Sequence, residues 1–237
     1  MRAPAERVGF GAAAFVSGAA ALVYEVLWVR RLGEVFGSTA AAVNVVLALF
    51  FAGLGVGAYV FGRRAEASRS PARLYAGLEA VIAVCGLLFL PASAAVESAY
   101  TSLLPAEWSA GAALAAKALG AVLLLGLPAL AMGGTLPVLL RVVRPSADRL
   151  GGDLGRLYGW NTLGGALGAV ACVFWLLPKL GMAECGAVAA AGNALSALLV
   201  GALARGAPPG VEGASRVEAG RGASPWTAWL AAGAAGF

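Results

Sequence analysis

Long apolar runs alternate with short polar stretches along this chain. Each of six runs is long enough to cross the roughly 30 Å hydrocarbon core of a bilayer as a helix rising about 1.5 Å per residue. They lie near residues 8–29, 39–61, 74–96, 110–140, 157–177 and 183–203. The pattern predicts an all-α, polytopic membrane protein in which residues 1–205 form a six-helix transmembrane module.

Two prolines fall inside the fourth run. Pro128 and Pro137 each lack the N–H that a helix interior uses, and proline there commonly kinks or breaks the helix. We therefore expect a long first piece, a break near Met132-Gly133-Gly134 and a short second piece.

The end of the sequence has a different character. Residues 206–225 are rich in Gly, Pro, Ser and charge, a composition typical of a flexible linker, here on the cytoplasmic side. A seventh apolar run covers 226–237 and is too short to span a bilayer. We expect it to be the truncated start of a further transmembrane helix.

Composition supports a membrane protein over a soluble domain. Hydrophobic residues make up 60% of the chain and charged residues 12%, against roughly 25% charged in soluble domains. The net charge of +5 arises from basic residues in short loops, which favours a topological role. The expected partner is therefore the lipid bilayer and not a nucleic acid.

Loop charges predict the orientation. With the N-terminus in the cytoplasm, 13 of the 17 basic residues lie on the inner side, as the bias of Lys and Arg towards cytoplasmic loops requires. The four exceptions are Arg30, Arg31, Lys117 and Lys179. The Arg30-Arg31 pair is thus a basic pair at the outer end of the first run.

Histidine is absent, which excludes Ser-His-Asp and Cys-His nucleophilic chemistry and histidine-based metal sites. Cys85, Cys172 and Cys185 are far apart in sequence and form no C-x-x-C, so we interpret them as small packing residues. There is also no nucleotide-binding glycine motif. We expect no catalytic residue, no cofactor and no metal site in this chain.

A row of small residues on the first run ends in an acidic residue. The row is Gly11, Ala14, Gly18, Ala21 and Glu25. This spacing puts the row on one helical face, which we interpret as a packing face that turns Glu25 into the bundle. A carboxylate in an apolar span has to face the bundle interior, water or a partner.

The outer end of the bundle holds one set of candidate substrate or coupling residues. Lys117, at the start of the fourth run, is expected at the depth of Glu25, with Arg30 and Arg31 just above and Tyr24 beside it. We expect Glu25 to cluster with Lys117 or Arg30. A structural ion pair and a substrate or proton site both remain open.

The inner side holds a second set. Glu79 enters about one turn inside the third run, and Asn161 lies at similar depth in the fifth. A contact between them is predicted, as an interhelical hydrogen bond or as part of a substrate site. Asn193 lies near the middle of the sixth run. Tyr75 and Tyr158 each follow an Arg-Leu pair at the start of a run. We interpret them as interfacial anchors or as traces of an internal repeat.

Glycines four residues apart recur within the apolar runs. Gly53 pairs with Gly57 and Gly164 with Gly168 in this way. Small residues let helices approach closely in lipid, where hydrophobic driving force between helices is absent. We therefore expect tight helix crossings at both pairs.

Four ordered motifs resemble the membrane-embedded spermidine-synthase-like proteins of bacteria. The first is SGAAALVYEVLWVRRL, from Ser17 to Leu32. The second consists of FGST at 36–39, GLGVG at 53–57 and GR at 62–63. The third is LAMGGTLP at 130–137. The fourth is GRLYGWNTLG at 155–164, followed by LP at 177–178. In that family a transporter-like helical module is fused to an aminopropyltransferase-type domain.

The resemblance implies a half-bundle related to the major facilitator superfamily, with further helices and a synthase domain downstream. Two departures stand out. The acidic residue expected beside the basic pair Arg63-Arg64 is displaced to Glu66, and no Gly-Gly-Gly-Asp-Gly-type loop for decarboxylated S-adenosylmethionine occurs. This chain alone is therefore not expected to transfer aminopropyl groups, and the enzymatic status of the full-length protein stays open.

Three function classes follow. The chain is the membrane module of a spermidine-synthase-like fusion protein that handles a polyamine or another small cation, a transporter half of the facilitator type, or a structural anchor without substrate. The resemblance implies a bacterial inner membrane. The candidate residues are Tyr24, Glu25, Arg30, Arg31, Lys117, Glu79 and Asn161.

Overall fold

The computed structural model describes residues 4–36, 40–103, 109–143 and 149–205. The elements in these ranges are helical, and they contain no strand. They are α1 (Pro4–Phe36), α2 (Ala40–Ala67), α3 (Pro71–Leu103), α4 (Ala110–Val143), α5 (Leu150–Ala171), a π turn (Cys172–Leu176), α6 (Leu177–Leu180) and α7 (Met182–Arg205).

Within these described ranges, six stretches of helix are long and apolar enough to cross a membrane. The fifth of them joins α5, the π turn and α6 into one continuous span, Leu150–Leu180. Large apolar side chains also cover the outside: Leu198 is 72% exposed, Leu123 69% and Phe174 67%. Helices that are apolar all round are typical of membrane spans, so the predicted all-α, polytopic bundle is confirmed.

The helices pack in two close pairs that α3 and α7 connect. α1 lies most extensively against α5, and α2 against α4. α7 contacts both α1 and α3, and α3 in turn contacts α4. The resulting order of neighbours is α5, α1, α7, α3, α4 and α2.

Glycine permits the close contact in the α1–α5 pair. A Cβ atom added to Gly164 or Gly168 would collide with the backbone of Phe15 or Ala19. On the opposite side of the contact, Gly18 of α1 lies directly against Asn161. The predicted crossing at Gly164 and Gly168 is therefore confirmed.

The α2–α4 pair uses glycines from both partners. A Cβ on Gly53 would meet Ala129, and one on Gly57 would collide with the backbone carbonyl of Leu130. From the other side, Gly133 of α4 lies against the backbone of Leu54. This confirms the second predicted crossing.

The predicted break in the fourth run is wrong. α4 runs without interruption from Ala110 to Val143, with Pro128 and Pro137 inside it. Transmembrane helices tolerate proline because neighbouring helices and hydroxyl side chains stabilise the affected turns. Here Gly133 packs on α2, and the Thr135 hydroxyl donates to the Met132 carbonyl at 2.8 Å.

The fifth span contains an irregularity that the apolar pattern does not predict. Between Cys172 and Leu176 the helix widens into a π turn, and the N–H of Leu177 bonds to the carbonyl of Cys172. Pro178 follows, and it has no N–H to donate to the preceding turn. The span ends at Gly181, whose φ of 87° suits a residue without a side chain.

Three sequence features lie outside the described residues. They are the linker 206–225, the seventh apolar run 226–237, and Gly37-Ser38-Thr39 of the second resembling motif.

We expect Gly164→Ala to destabilise the bundle, because the new methyl group has to displace the Phe15 carbonyl. Overpacking of this kind typically lowers the free energy of unfolding by about 1–3 kcal/mol. Gly159→Ala in the same helix is the matched control, since its Cβ would meet nothing within 4 Å. Thermal unfolding of the two purified variants in detergent measures the difference, and equal midpoints would contradict the close crossing.

Candidate functional site

A polar cluster lies where α1, α3 and α7 meet inside the bundle. At its centre is Glu79 of α3, whose side chain is fully buried. The Nδ2 atom of Asn193, on α7, donates a hydrogen bond to Glu79 Oε2 at 2.6 Å. Asn193 is itself 1% exposed. The cluster thus holds a carboxyl group in an interior that is otherwise largely apolar.

The predicted contact between Glu79 and Asn161 is wrong. The two residues lie on helices that are not neighbours, since α3 packs on α7 and α4 while α5 packs on α1. Asn161 lies instead against Gly18 of α1. Similar depth along two helices was therefore not enough to identify the partner of Glu79. That partner is Asn193, on a different span.

A second chain of hydrogen bonds runs beside Glu79. The hydroxyls of Tyr75 and Ser196 are 2.7 Å apart, and Ser196 donates to the carbonyl of Ala13 at 3.0 Å. This chain links α3, α7 and α1. Tyr75 is fully buried, so the interpretation as an interfacial anchor is wrong for it, whereas Tyr158 is 57% exposed and suits that role.

Three buried polar atoms in this region have no hydrogen-bond partner among the described residues. They are the Tyr24 hydroxyl, Glu79 Oε1 and Asn193 Oδ1. Burial without a hydrogen bond costs a polar group several kcal/mol in an apolar medium, on the order of 2–7 kcal/mol. Such atoms mark positions where a proton, an ordered water molecule or a ligand would be stabilising.

A cavity of about 290 Å³ lies in the same part of the bundle. Its wall at Gly86 is seven residues, or about two helical turns, along α3 from Glu79. The cavity lies between α1, α3 and α7 towards the C-terminal end of α1, which we call the Trp28 end of the bundle. The lining residues are mainly aromatic and aliphatic. They include Tyr24, Trp28, Phe89, Leu90, Met182 and Gly186.

Aromatic packing fixes the wall of this cavity. Tyr24 and Trp28 stack with ring centroids 5.4 Å apart, and Phe89 lies 5.6 Å from the Trp28 ring. Gly86 makes room for Tyr24, because any Cβ there would collide with the tyrosine ring. Tyr24 therefore belongs to both features, since it lines the cavity and interacts electrostatically with Glu79.

Basic residues at the Trp28 end make different ion pairs from those expected. Arg31 bonds to Glu97 at 2.6 Å and to Ser93 at 3.1 Å, and so joins α1 to α3. Arg30 pairs with Glu34 on its own helix at 3.6 Å. The acidic partners of the basic pair are thus Glu34 and Glu97.

The expected cluster of Glu25 with Lys117 or Arg30 does not form. Within the described part of the chain, neither Glu25 nor Lys117 belongs to an ion pair. Glu25 is half-buried and shares the helical face of Gly18. That face packs on α5 at Gly11 and Gly18.

The cysteines occupy packing positions, yet two of them meet. Cys172 opens the π turn and Cys185 lies in the first turns of α7, and both are fully buried. Their side chains interact with each other, and both thiols are free. Among the described residues, no group of three or more His, Cys, Asp or Glu side chains is arranged to hold a metal ion.

Comparisons of the chain with protein-family models, with curated proteins and with solved structures gave no match.

Sequence reasoning missed the partners of Glu79, although a signal for them exists. Asn193 and Ser196 are three residues apart in an alanine-rich helix and therefore share a face. Tyr75 and Glu79 are four apart and share a face of α3 in the same way. Two polar pairs at helical spacing in apolar spans are a pattern typical of interhelical hydrogen bonding.

We expect Tyr75→Phe to destabilise the bundle by about 1 kcal/mol, the typical net contribution of one hydrogen bond. The change removes the hydroxyl that contacts Ser196 and leaves the ring in place. Tyr158→Phe is the control, because that ring is exposed. Chemical or thermal unfolding in detergent compares the two, and equal stability would show that the Tyr75 hydroxyl contributes nothing.

Proposed function

We propose that this chain is a membrane-embedded module that binds a small organic cation. It would act as the transporter-like part of a spermidine-synthase-like fusion protein. The observation that carries the proposal is the fully buried Glu79, with an aromatic cavity of about 290 Å³ about two helical turns away between the same three helices. An ionisable residue inside a membrane bundle is by default a candidate for substrate or ion handling.

Charge favours a cation as the ligand. No lysine or arginine of the described residues forms an ion pair with Glu79. A buried carboxylate without a positive partner is strongly destabilised, and a bound cation would relieve that cost. The unpartnered oxygens Glu79 Oε1 and Asn193 Oδ1 are hydrogen-bond acceptors, which suits an ammonium group with N–H donors.

The cavity favours an organic cation of modest size. Its volume lies near the lower end of the roughly 300–1,000 Å³ range of small-molecule sites. Tyr24, Trp28 and Phe89 line it, and aromatic faces attract ammonium groups with about 0.5–2 kcal/mol each. A polyamine, with its amines separated by methylene groups, combines the two kinds of contact. The resemblance implies the same ligand class.

The orientation in the membrane and the rest of the protein follow the same interpretation. The loop charges support a cytoplasmic N-terminus, and the resemblance supports a bacterial inner membrane. The Trp28 end of the bundle, where the cavity lies, would then face the outer side. The aminopropyltransferase activity would reside in a downstream synthase-like domain, and the helices would deliver or receive the amine. In a facilitator-type half the same site would bind the cation during transport.

A structural anchor without substrate is the second candidate, and one observation favours it. The Glu79–Asn193 and Tyr75–Ser196 hydrogen bonds both join α3 to α7. Interhelical hydrogen bonds of this kind stabilise membrane bundles without any ligand.

We expect Glu79→Gln to weaken the binding of spermidine to the purified full chain at least tenfold, a change of about 1.4 kcal/mol. The substitution removes the ionisable carboxyl group and keeps the size of the side chain. Glu25→Gln is the matched control, because it removes another carboxyl group that lacks an ion pair. Isothermal titration in detergent or equilibrium dialysis with labelled spermidine measures the affinities.

Two results would count against the cation site. One is equal affinity in the wild-type chain and Glu79→Gln. The other is the absence of spermidine binding by the wild-type chain together with lower thermal stability of Glu79→Gln, which is the behaviour of a structural anchor.

We expect Ala183→Trp to reduce spermidine affinity while the bundle stays folded. Ala183 is an exposed residue of α7 that lines the cavity, so an indole group there would fill its mouth. Ala187→Trp, one turn further on and exposed outside the cavity lining, is the control. If both variants bind spermidine like the wild-type chain, the cavity is not the binding site.

A further inference from the structure

The two unpartnered oxygens at the centre of the bundle belong to groups that are already bonded to each other. Asn193 Nδ2 donates to Glu79 Oε2 at 2.6 Å, while Glu79 Oε1 and Asn193 Oδ1 have no donor. An ionised carboxylate has only acceptors, so it cannot satisfy the amide oxygen. A protonated carboxyl group has one O–H donor, which is the donor that this pair lacks.

The need for a proton does not depend on which end of the Asn193 amide is oxygen and which is nitrogen. If the oxygen and nitrogen of Asn193 were exchanged, the 2.6 Å contact would join two oxygens. Two oxygens at that distance require a proton between them, and only the carboxyl group can supply it. A protonated Glu79 therefore suits both orientations of the amide.

Among the residues that the structure describes, none near Glu79 supplies a positive charge. The hydroxyls of Tyr75, Ser17 and Ser196 and the ring of Tyr24 lie near Glu79, with the amide of Asn193. Of these groups, Asn193 has the geometry of a hydrogen bond to the carboxyl group, and Oε1 is left without a donor. All of these groups are neutral at physiological pH. α4 also packs on α3, and its basic residues Lys117 and Arg141 make no ion pair with Glu79. A lone negative charge in such a position would be very costly.

We infer that Glu79 carries a proton in this conformation and donates it from Oε1 to Asn193 Oδ1. The carboxyl and amide groups then form a cyclic pair with two hydrogen bonds, and neither oxygen remains without a partner. The pair is a proton-binding site inside the bundle. This part of the inference stands without the proposed function.

A consequence for ligand exchange does rest on the proposed function. When a monovalent ammonium group takes the place of the proton, one positive charge enters and one leaves, so the charge of the site is unchanged. Tyr24 connects the cavity to this exchange, because it lines the cavity and lies near enough to Glu79 to be affected by its charge. Binding of the cation should therefore release a proton.

Infrared spectroscopy of the full chain in detergent tests the protonated pair. We expect the carbonyl band of a protonated carboxylic acid at neutral pH in the wild-type chain, and its loss in Glu79→Gln. Glu25→Gln should keep the band. Asn193→Leu should shift it to higher frequency, because the acceptor of the O–H group is removed. Identical spectra for the wild-type chain and Glu79→Gln in this region would overturn the inference.

Proton release on binding tests the exchange. Addition of spermidine to the chain in weakly buffered solution should acidify the medium for the wild-type chain and for Glu25→Gln, and not for Glu79→Gln. Binding without proton release would overturn the exchange and leave the cation site intact. Lack of binding in a chain that shows the carbonyl band would overturn the proposed function and support the protonated pair.

Discussion

Helix association in lipid has no help from the hydrophobic effect, so contact of bare backbone at glycine has to hold the two main helix pairs together. Gly164 and Gly168 bring α5 onto α1, and Gly57 and Gly133 bring α2 and α4 together. Each of these contacts leaves no room for a methyl group. The two pairs fix the positions of α1 and α4. Because α7 packs on α1 and α3 packs on α4, these positions also determine where the polar cluster forms.

The interface between α3 and α7 is built on different chemistry. α3 and α7 meet through hydrogen bonds of Glu79 with Asn193 and of Tyr75 with Ser196. Hydrogen bonds can be exchanged for others, whereas a backbone crossing cannot be loosened without opening a void. The α3–α7 interface is therefore the part of the bundle suited to respond to a ligand or a proton, and the glycine pairs form the frame around it.

Sequence patterns predicted the spans and the crossings at Gly53–Gly57 and Gly164–Gly168, because both depend on local composition. They did not predict the partner of Glu79. That choice depends on which helices are neighbours, and α1 separates α5 from α3 although Asn161 has a suitable depth. The predicted break at 132–134 failed for a related reason, since packing on α2 stabilises a helix that proline alone would interrupt.

The length of the helices places the two charged regions in different surroundings. α1 and α3 have 33 residues each and are about 50 Å long, roughly 20 Å more than the hydrocarbon core. The Arg31–Glu97 pair lies in the last two turns of both helices and so reaches the headgroups and water. Dissolved ions screen charges there over about 8 Å at physiological ionic strength. Salt concentration therefore weakens the link between α1 and α3 at that end and leaves the buried Glu79–Asn193 contact unaffected.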